Sequence, residues 1–117
     1  MPVGLKDMGR KEVKYASFGG SGTTTIVAAV TGKKINVIAY AVTVTQASTV
    51  TFKSDTTAIT GAMNMGIVGG MGVSDTINAL VAGWNPDGYF ETAVGEALKI
   101  TDSAGTASGH VTYIETT

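Results

Sequence analysis

Apolar and polar residues alternate with a period of two over much of this sequence, which is the pattern of half-buried β-strands. In STVTFKSD, for example, Val50 and Phe52 would face a core while Thr51 and Lys53 face solvent. Six segments alternate in this way or are rich in β-branched residues, and AMNM and YFETA could supply two further strands. The six are EVKYASF, TTTIVAAV, INVIAYAVTVT, STVTFKSD, ALKITDS and GHVTYIET.

The spacing of these segments predicts the fold class. Turn-forming residues separate them at intervals of roughly 8–14 residues, which is typical of antiparallel sandwiches and barrels. We therefore predict an all-β fold of about eight strands with little helix. The best helical candidate is VSDTINALVAG, in which Ser74 or Asp75 could cap a short turn and Ile77, Leu80 and Val81 fall at helical spacing. We expect a flexible arm over residues 1–12 and one β-domain over residues 13–117.

The segment INVIAYAVTVT, residues 35–45, is apolar at both alternating sets of positions. Such a strand either lies in the centre of a sandwich or is covered by a neighbouring subunit. One set consists of Ile35, Val37, Ala39 and Ala41, and the other of Ile38, Tyr40, Val42 and Val44.

Composition favours a domain that buries part of its surface against partners. Only 15% of the 117 residues are charged, against about 25% in an average soluble domain. The net charge of −1 gives no electrostatic sign of nucleic-acid binding. No apolar run approaches the length of a membrane span, so we expect synthesis in a cytoplasm and no membrane partner.

Tests for catalytic, cofactor and metal sites all fail on residue type or spacing. The stretch GGSGTTTIVAAVTGKK, residues 19–34, resembles a phosphate loop, but Val27 stands where a Walker motif needs glycine, and Lys34 where it needs a hydroxyl. The chain has no cysteine, which excludes thiolate metal sites and thiol nucleophiles. Its one histidine is His110, and the sequence has no G-x-S-x-G motif that would provide a serine nucleophile for it. Glu91 and Glu96 could form a glycosidase pair, but a turn through Gly95 is the simpler interpretation. We expect no enzyme activity and no cofactor.

The candidate functional residues are therefore partner contacts. The glycine-rich stretch 61–75 combines backbone freedom with adaptable methionine side chains, and aromatic residues flank the turn Pro86-Asp87-Gly88. The two-faced strand and the charged arm are the other candidates. The predicted contacts are Lys6, Arg10, Lys11, Tyr40, Met63, Met65, Met71, Trp84 and Tyr89.

The order of four segments resembles a small β-sandwich module that recurs in virion proteins of tailed bacteriophages. That module has a threonine-rich strand ending V-x-G-K-[KR]-I, then V-x-F-x-S-G-x-x-x-[LI]-T-G-x-M, then G-[WY]-F-x-T-x-x-G-E-x-L and G-x-[VL]-x-Y-x-E. The likeness covers about residues 22–115, with Asp55 in place of a glycine and an inserted Asn85-Pro86-Asp87. The matching segments are GTTTIVAAVTGKKINVIAYAVT, VTFKSDTTAITGAM, GWNPDGYFETAVGEALKI and SGHVTYIE.

The resemblance implies a jelly-roll-like sandwich on a phage particle. Free-standing modules of this size are similar to capsid decoration or cement proteins, which would place the chain on the capsid surface, bound to the major capsid protein or other virion proteins. A homo-oligomer, either dimer or trimer, would suit the symmetry of a shell. Modules fused to tail or fibre proteins suggest an alternative, in which Trp84 and Tyr89 bind a host receptor or carbohydrate. A hydrolase using Glu91 or Glu96 is the third hypothesis.

Overall fold

The computed structural model describes residues 12–67, 76–77 and 79–117. Within these residues the chain forms eleven strand segments, three of which have only two residues. The predicted arm lies outside the described residues, apart from the exposed Glu12. The segments are β1 (Lys14–Gly20), β2 (Thr23–Val27), β3 (Lys34–Val44), β4 (Ser48–Ser54), β5 (Thr57–Ala58), β6 (Met63–Ile67), β7 (Thr76–Ile77), β8 (Ala79–Ala82), β9 (Phe90–Glu91), β10 (Leu98–Asp102) and β11 (Ala107–Thr116).

The strands form two antiparallel sheets that pack face to face. The first sheet has the order β1-β11-β3-β8, with β9 beside β3, and the second has the order β2-β10-β4-β6-β7, with β5 beside β4. Successive long strands mostly alternate between the sheets, as in a jelly roll built from two Greek keys. The predicted antiparallel β-sandwich is therefore confirmed. The predicted number of about eight strands is too low, because β5, β7 and β9 are short segments that the sequence pattern does not resolve.

The predicted helical turn in VSDTINALVAG is wrong. Residues 76–77 and 79–82 are strands, and β8 pairs antiparallel with β3. Leu80 packs against the core while Val81 points to solvent, so the segment follows a period of two and not of 3.6. Tertiary pairing with the free edge of β3 thus decides its conformation. Residues 73–75 and 78 of the candidate lie outside the described residues.

The pairing of β3 with β11 contains one irregularity. Thr112 lies opposite Ala39, but the next residue, Tyr113, lies opposite Val37. Ile38 is therefore an extra residue on β3, which is the arrangement of a β-bulge. A bulge reverses which side chains of its strand face the core, because the side-chain period is two.

This reversal explains why residues 35–45 are apolar at both sets of positions. Before the bulge, Ile35 and Val37 belong to the core, and after it Val42 and Val44 do, with Tyr40 packed against them. All five therefore face the second sheet. The strand lies between β11 and β8 in its sheet, so its predicted central position is confirmed.

The hydrophobic core fills the space between the two sheets. The second sheet contributes Phe52 from β4 and Leu98 and Ile100 from β10, all with 1% exposure or less. They form one cluster with Val42 and Val111 of the first sheet. Val50 and Phe52 face inward as their alternation predicts. Among the residues that the structure describes, no helix is long and apolar enough to cross a membrane.

Gly109 in β11 is a position at which the backbone of the first sheet leaves no room for a side chain. Its φ of 155° is unfavourable for other residues, and an added Cβ would overlap the carbonyl oxygen of Ala41 and lie 3.0 Å from the Cα of Val42. Phe18 of β1 lies opposite this position and packs against the core. The glycine therefore lets β3 and β11 approach closely beneath an aromatic neighbour.

Replacing Gly109 by alanine should destabilise the fold, because the new methyl group displaces the backbone of a central strand. We expect Gly109→Ala to lower the free energy of unfolding by about 2–3 kcal/mol, measured by urea denaturation. Gly61→Ala is the matched control, since a Cβ there meets no atom within 4 Å. Equal stabilities of the two variants would contradict the close approach.

Candidate partner-binding surface

Four aromatic side chains form a cluster at one edge of the sandwich. Tyr40 of β3 lies at its centre, with ring centroids 5.2 Å from Phe52, 5.7 Å from Tyr89 and 5.7 Å from Phe90. Phe52 and Phe90 are 4.7 Å apart. Edge-to-face and tilted contacts at these distances are favourable beyond their buried area. The cluster therefore connects the core, through Phe52, with the exposed loop that carries Tyr89.

The loop between β8 and β9 is bonded to the edge of β3 by its backbone. The amides of Asn85 and Tyr89 donate to the carbonyls of Ile38 and Val37, each at 2.8 Å. Just after β9, the amide of Thr92 donates in the same way to the carbonyl of Ile35 at 3.0 Å. These bonds use the positions of β3 that β8 leaves unpaired, so the loop continues the edge of the sheet.

The sequence Asn85-Pro86-Asp87-Gly88 forms the tight turn within this loop. The Gly88 amide donates to the Asn85 carbonyl at 2.9 Å, and the Asp87 amide donates to the Asn85 side-chain oxygen at 3.1 Å. Asparagine first, proline second and glycine fourth are the preferences of a type I turn. Gly88 has a φ of 86°, and a Cβ there would overlap the side chain of Asn36. The predicted turn is thus present and packs against β3.

Trp84 and Tyr89 present aromatic surface to solvent beside this turn. Trp84 is 61% exposed and Tyr89 is 43% exposed. The Tyr89 hydroxyl donates to the carbonyl of Gly83 at 2.7 Å, which ties the two ends of the loop together. An aromatic pair on a braced loop is suited to binding, because little conformational entropy is lost when a partner covers it.

Of the predicted contact residues, Tyr40 and Tyr89 are in ring contact, and Trp84 follows Gly83, whose carbonyl accepts the Tyr89 hydroxyl. Met63 is half-buried and packs against the core. The prediction for Met65 is wrong, since it is only 5% exposed and belongs to the core cluster. Met63 lies opposite Val50 and Met65 lies opposite Ser48 on β4, so both face the core side of β6 and differ only in their exposure. Outside the described residues are Lys6, Arg10, Lys11 and Met71.

Other exposed apolar side chains were not among the predicted contacts. Tyr15 and Val81 both lie on the outer face of the first sheet and are mostly exposed, and Val94 follows β9. Tyr15 is an alternate position in EVKYASF, so its outward direction follows once Ala16 and Phe18 are assigned to the core. The exposure of Val81 was not predicted, because the helical interpretation of its segment placed Val81 on the same apolar face as Leu80.

The two carboxylates of the glycosidase hypothesis make separate contacts. Glu91 forms an ion pair with Lys34 at 3.3 Å. Glu96 accepts a hydrogen bond of 2.5 Å from the hydroxyl of the buried Ser54, which itself accepts one from the Ala93 amide. The Glu91 ion pair therefore joins β9 to the start of β3, and the Glu96 hydrogen bond joins the segment after β9 to the end of β4.

Metal-binding residues do not converge in the part of the chain that the structure describes, where no group of three or more His, Asp or Glu side chains could hold an ion. His110 is exposed on β11. Ser48 and Asp102 are buried at the end of the core, and their side-chain oxygens have no hydrogen-bond partner among the described residues. One carboxylate and one hydroxyl are too few donors to define a metal site.

Burial raises the pKa of Tyr40 above its ordinary value of 10.0, and the neighbouring Tyr89 raises it further. Both effects disfavour the tyrosinate, since the ring lies among apolar groups and beside a second phenol. The neutral phenol is therefore the form that fits the aromatic cluster.

Comparisons with known proteins do not identify a family or a function for this surface. No protein-family model matches the sequence, and neither a curated protein sequence nor a solved structure shows significant similarity to it.

The raised pKa of Tyr40 predicts a loss of stability in alkali. The folded state holds the phenolic proton more tightly than the unfolded chain, so its stabilising effect is complete below pH 10 and is lost as pH rises through the folded-state pKa. We expect the free energy of unfolding to fall less steeply above pH 10 in Tyr40→Phe than in the unaltered protein, as measured by urea denaturation at several pH values. Tyr15→Phe is the control, because Tyr15 is 75% exposed. Parallel curves for all three proteins would contradict the burial effect.

Proposed function

We propose that this chain is a non-enzymatic structural protein of a bacteriophage virion, and specifically a capsid decoration or cement protein that acts as a homo-oligomer. The observation that carries the proposal is the series of turn and core motifs from Gly22 to Glu115, which resembles the phage module over nearly the whole chain. The jelly-roll order of the two sheets is compatible with that module.

The exposed aromatic loop supports a role in protein association. Trp84 and Tyr89 lie together on a loop that is braced by the aromatic cluster and by backbone bonds to β3. Tryptophan and tyrosine are enriched among residues that dominate binding energy at interfaces. In the proposed function this loop inserts into a pocket of the shell, and the sandwich supplies the rigid support.

A cement protein strengthens a shell by burying surface across the joints between capsomers. A contact of about 1,200–2,000 Å² is enough for stable and specific attachment. Repeated copies on a symmetric shell add avidity when each oligomer engages two sites at once. The low charged fraction of 15% fits a protein with much of its surface covered after assembly.

Trp84 provides the direct test of this proposal. We expect the purified protein to bind undecorated shells and to raise their temperature of disruption, and we expect Trp84→Ala to weaken binding at least about tenfold. Its own melting temperature should change little because the side chain is mostly exposed. Binding is measured by co-sedimentation with shells, and shell stability by differential scanning calorimetry.

Lys33→Ala is a suitable control for this test, because the backbone bonds of Lys33 go to Val30 and Gly95 and not to the aromatic loop. Absence of binding and of added heat resistance with the unaltered protein would overturn the cement function. Normal binding by Trp84→Ala would instead remove the aromatic loop from the contact.

A carbohydrate-binding or receptor-binding module of a tail or fibre is the second candidate. The observation in its favour is the same pair, Trp84 and Tyr89, since exposed aromatic rings also stack on sugars. Copy number separates the two candidates, because hundreds of copies per virion indicate a shell component and a few dozen or fewer indicate the tail. A glycan array with a signal that disappears in Trp84→Ala would support the second candidate.

A further inference from the structure

The outer face of the first sheet carries no charged residue over most of its area. One cross-strand row consists of Ser17, His110, Ala41 and Val81, taken across β1, β11, β3 and β8. The neighbouring rows, which begin at Tyr15 and Gly19, also lack Asp, Glu, Lys and Arg. We call these three rows the neutral face.

The second sheet differs in the chemistry of its outer face. Lys53 of β4 and Lys99 of β10 lie directly opposite each other there, beside the outward pair Thr51 and Thr101. Threonine and lysine on the solvent side are usual for a strand that remains in water. The neutral face instead combines small side chains with Tyr15 and Val81, which are 75% and 72% exposed. Of the two outer faces, only that of the second sheet therefore has the composition expected of a surface that stays in contact with water.

We infer that the neutral face is the contact surface between two copies of this chain. In a two-fold dimer the same patch meets itself, so any excess of one charge on it is opposed by the same charge of the partner. The neutral face avoids that repulsion, whereas the outer face of the second sheet would bring four lysines together. The inference rests on the proposed function, which calls for a homo-oligomer, and it names the surface that forms one.

The arrangement of large and small side chains on the neutral face is compatible with two-fold packing. A two-fold axis along the row from Ser17 to Val81 would place the Tyr15 row of one copy opposite the Gly19 row of the other. The exposed ring of Tyr15 would then meet a position that has no side chain. The alanines at the centre, Ala39 and Ala41, are small enough for the two sheets to approach each other.

The size of the neutral face indicates a weak dimer. Four strands at a spacing of about 4.8 Å and a length of about six residues at 3.3 Å per residue give roughly 400 Å² per copy. The pair would bury about 800 Å², which is below the range of stable dimers and typical of transient ones. We therefore expect a dissociation constant in the micromolar range and reinforcement by avidity on a lattice.

Sedimentation equilibrium of the full chain at pH 7, from about 1 to about 300 µM, tests the inference. We expect the average mass to rise from monomer to dimer over this range. Ala41→Lys and Val81→Lys place a positive charge on the neutral face and should raise the dissociation constant at least about tenfold. Thr49→Lys makes the same charge change on the outer face of the second sheet and should leave the dissociation constant unaltered. If Ala41→Lys fails to fold, the Val81→Lys variant alone tests the inference, because the Val81 side chain is largely exposed and its replacement should leave the fold intact.

A monomer throughout the range would overturn the inference, as would a dimer that survives both neutral-face substitutions. If the unaltered protein is a monomer and Val81→Lys abolishes binding to shells, then the shell and not a second copy covers this face. The dimer is measured without particles, so its failure is separable from failure of the cement function. If the protein forms the expected dimer but binds no shell, the dimer contact through the neutral face is supported and the proposed cement function is contradicted.

Discussion

The bulge at Ile38 is the constraint on which the rest of the sandwich depends. The strand β3 is the longest in the first sheet, and its two halves would face opposite sides if the alternation continued unbroken. The extra residue turns Tyr40, Val42 and Val44 toward the same core as Ile35 and Val37. It also determines which side of β3 faces outward, and so it creates the small-residue centre of the neutral face.

The bulge connects the core with the aromatic loop as well. The carbonyls of Val37 and Ile38, at the bulge, accept the amides of Tyr89 and Asn85. Tyr40, two residues later, provides the ring against which Tyr89 packs. The change of register in β3 thus positions both the core side chains of this strand and the exposed loop that carries Tyr89. Bulges commonly redirect side chains at functional sites in this manner.

Much of the fold could be predicted from the sequence, because most strands have one core face. Alternation in β4 identified the inward residues Val50 and Phe52, which the structure buries. The bulge could not be predicted, since an extra residue in β3 is visible only against the register of β11. The helical interpretation failed for a related reason: apolar residues in a short segment fit either period until a partner strand is known.

The candidate site was predictable only in part. Aromatic residues beside a Pro-Asp-Gly turn identified Trp84 and Tyr89, because that turn has a strong local signature. Met63 and Met65 look alike in a glycine-rich segment, and only the folded structure shows that both face the core and that Met65 is the more buried. The neutral face was not predicted, because it is assembled from four strands that are distant in sequence.

The pairing of β1 with β11 has a practical consequence for linking this domain to other molecules. Lys14 and Glu115 form an ion pair of 3.2 Å, so the first and last strands begin and end at the same end of the sandwich. A fluorescent protein or peptide attached before β1 or after β11 would leave from that end. The turns at the opposite end, around residues 45–47 and 103–106, would remain accessible, and a pair of different cargoes could be carried side by side on one domain.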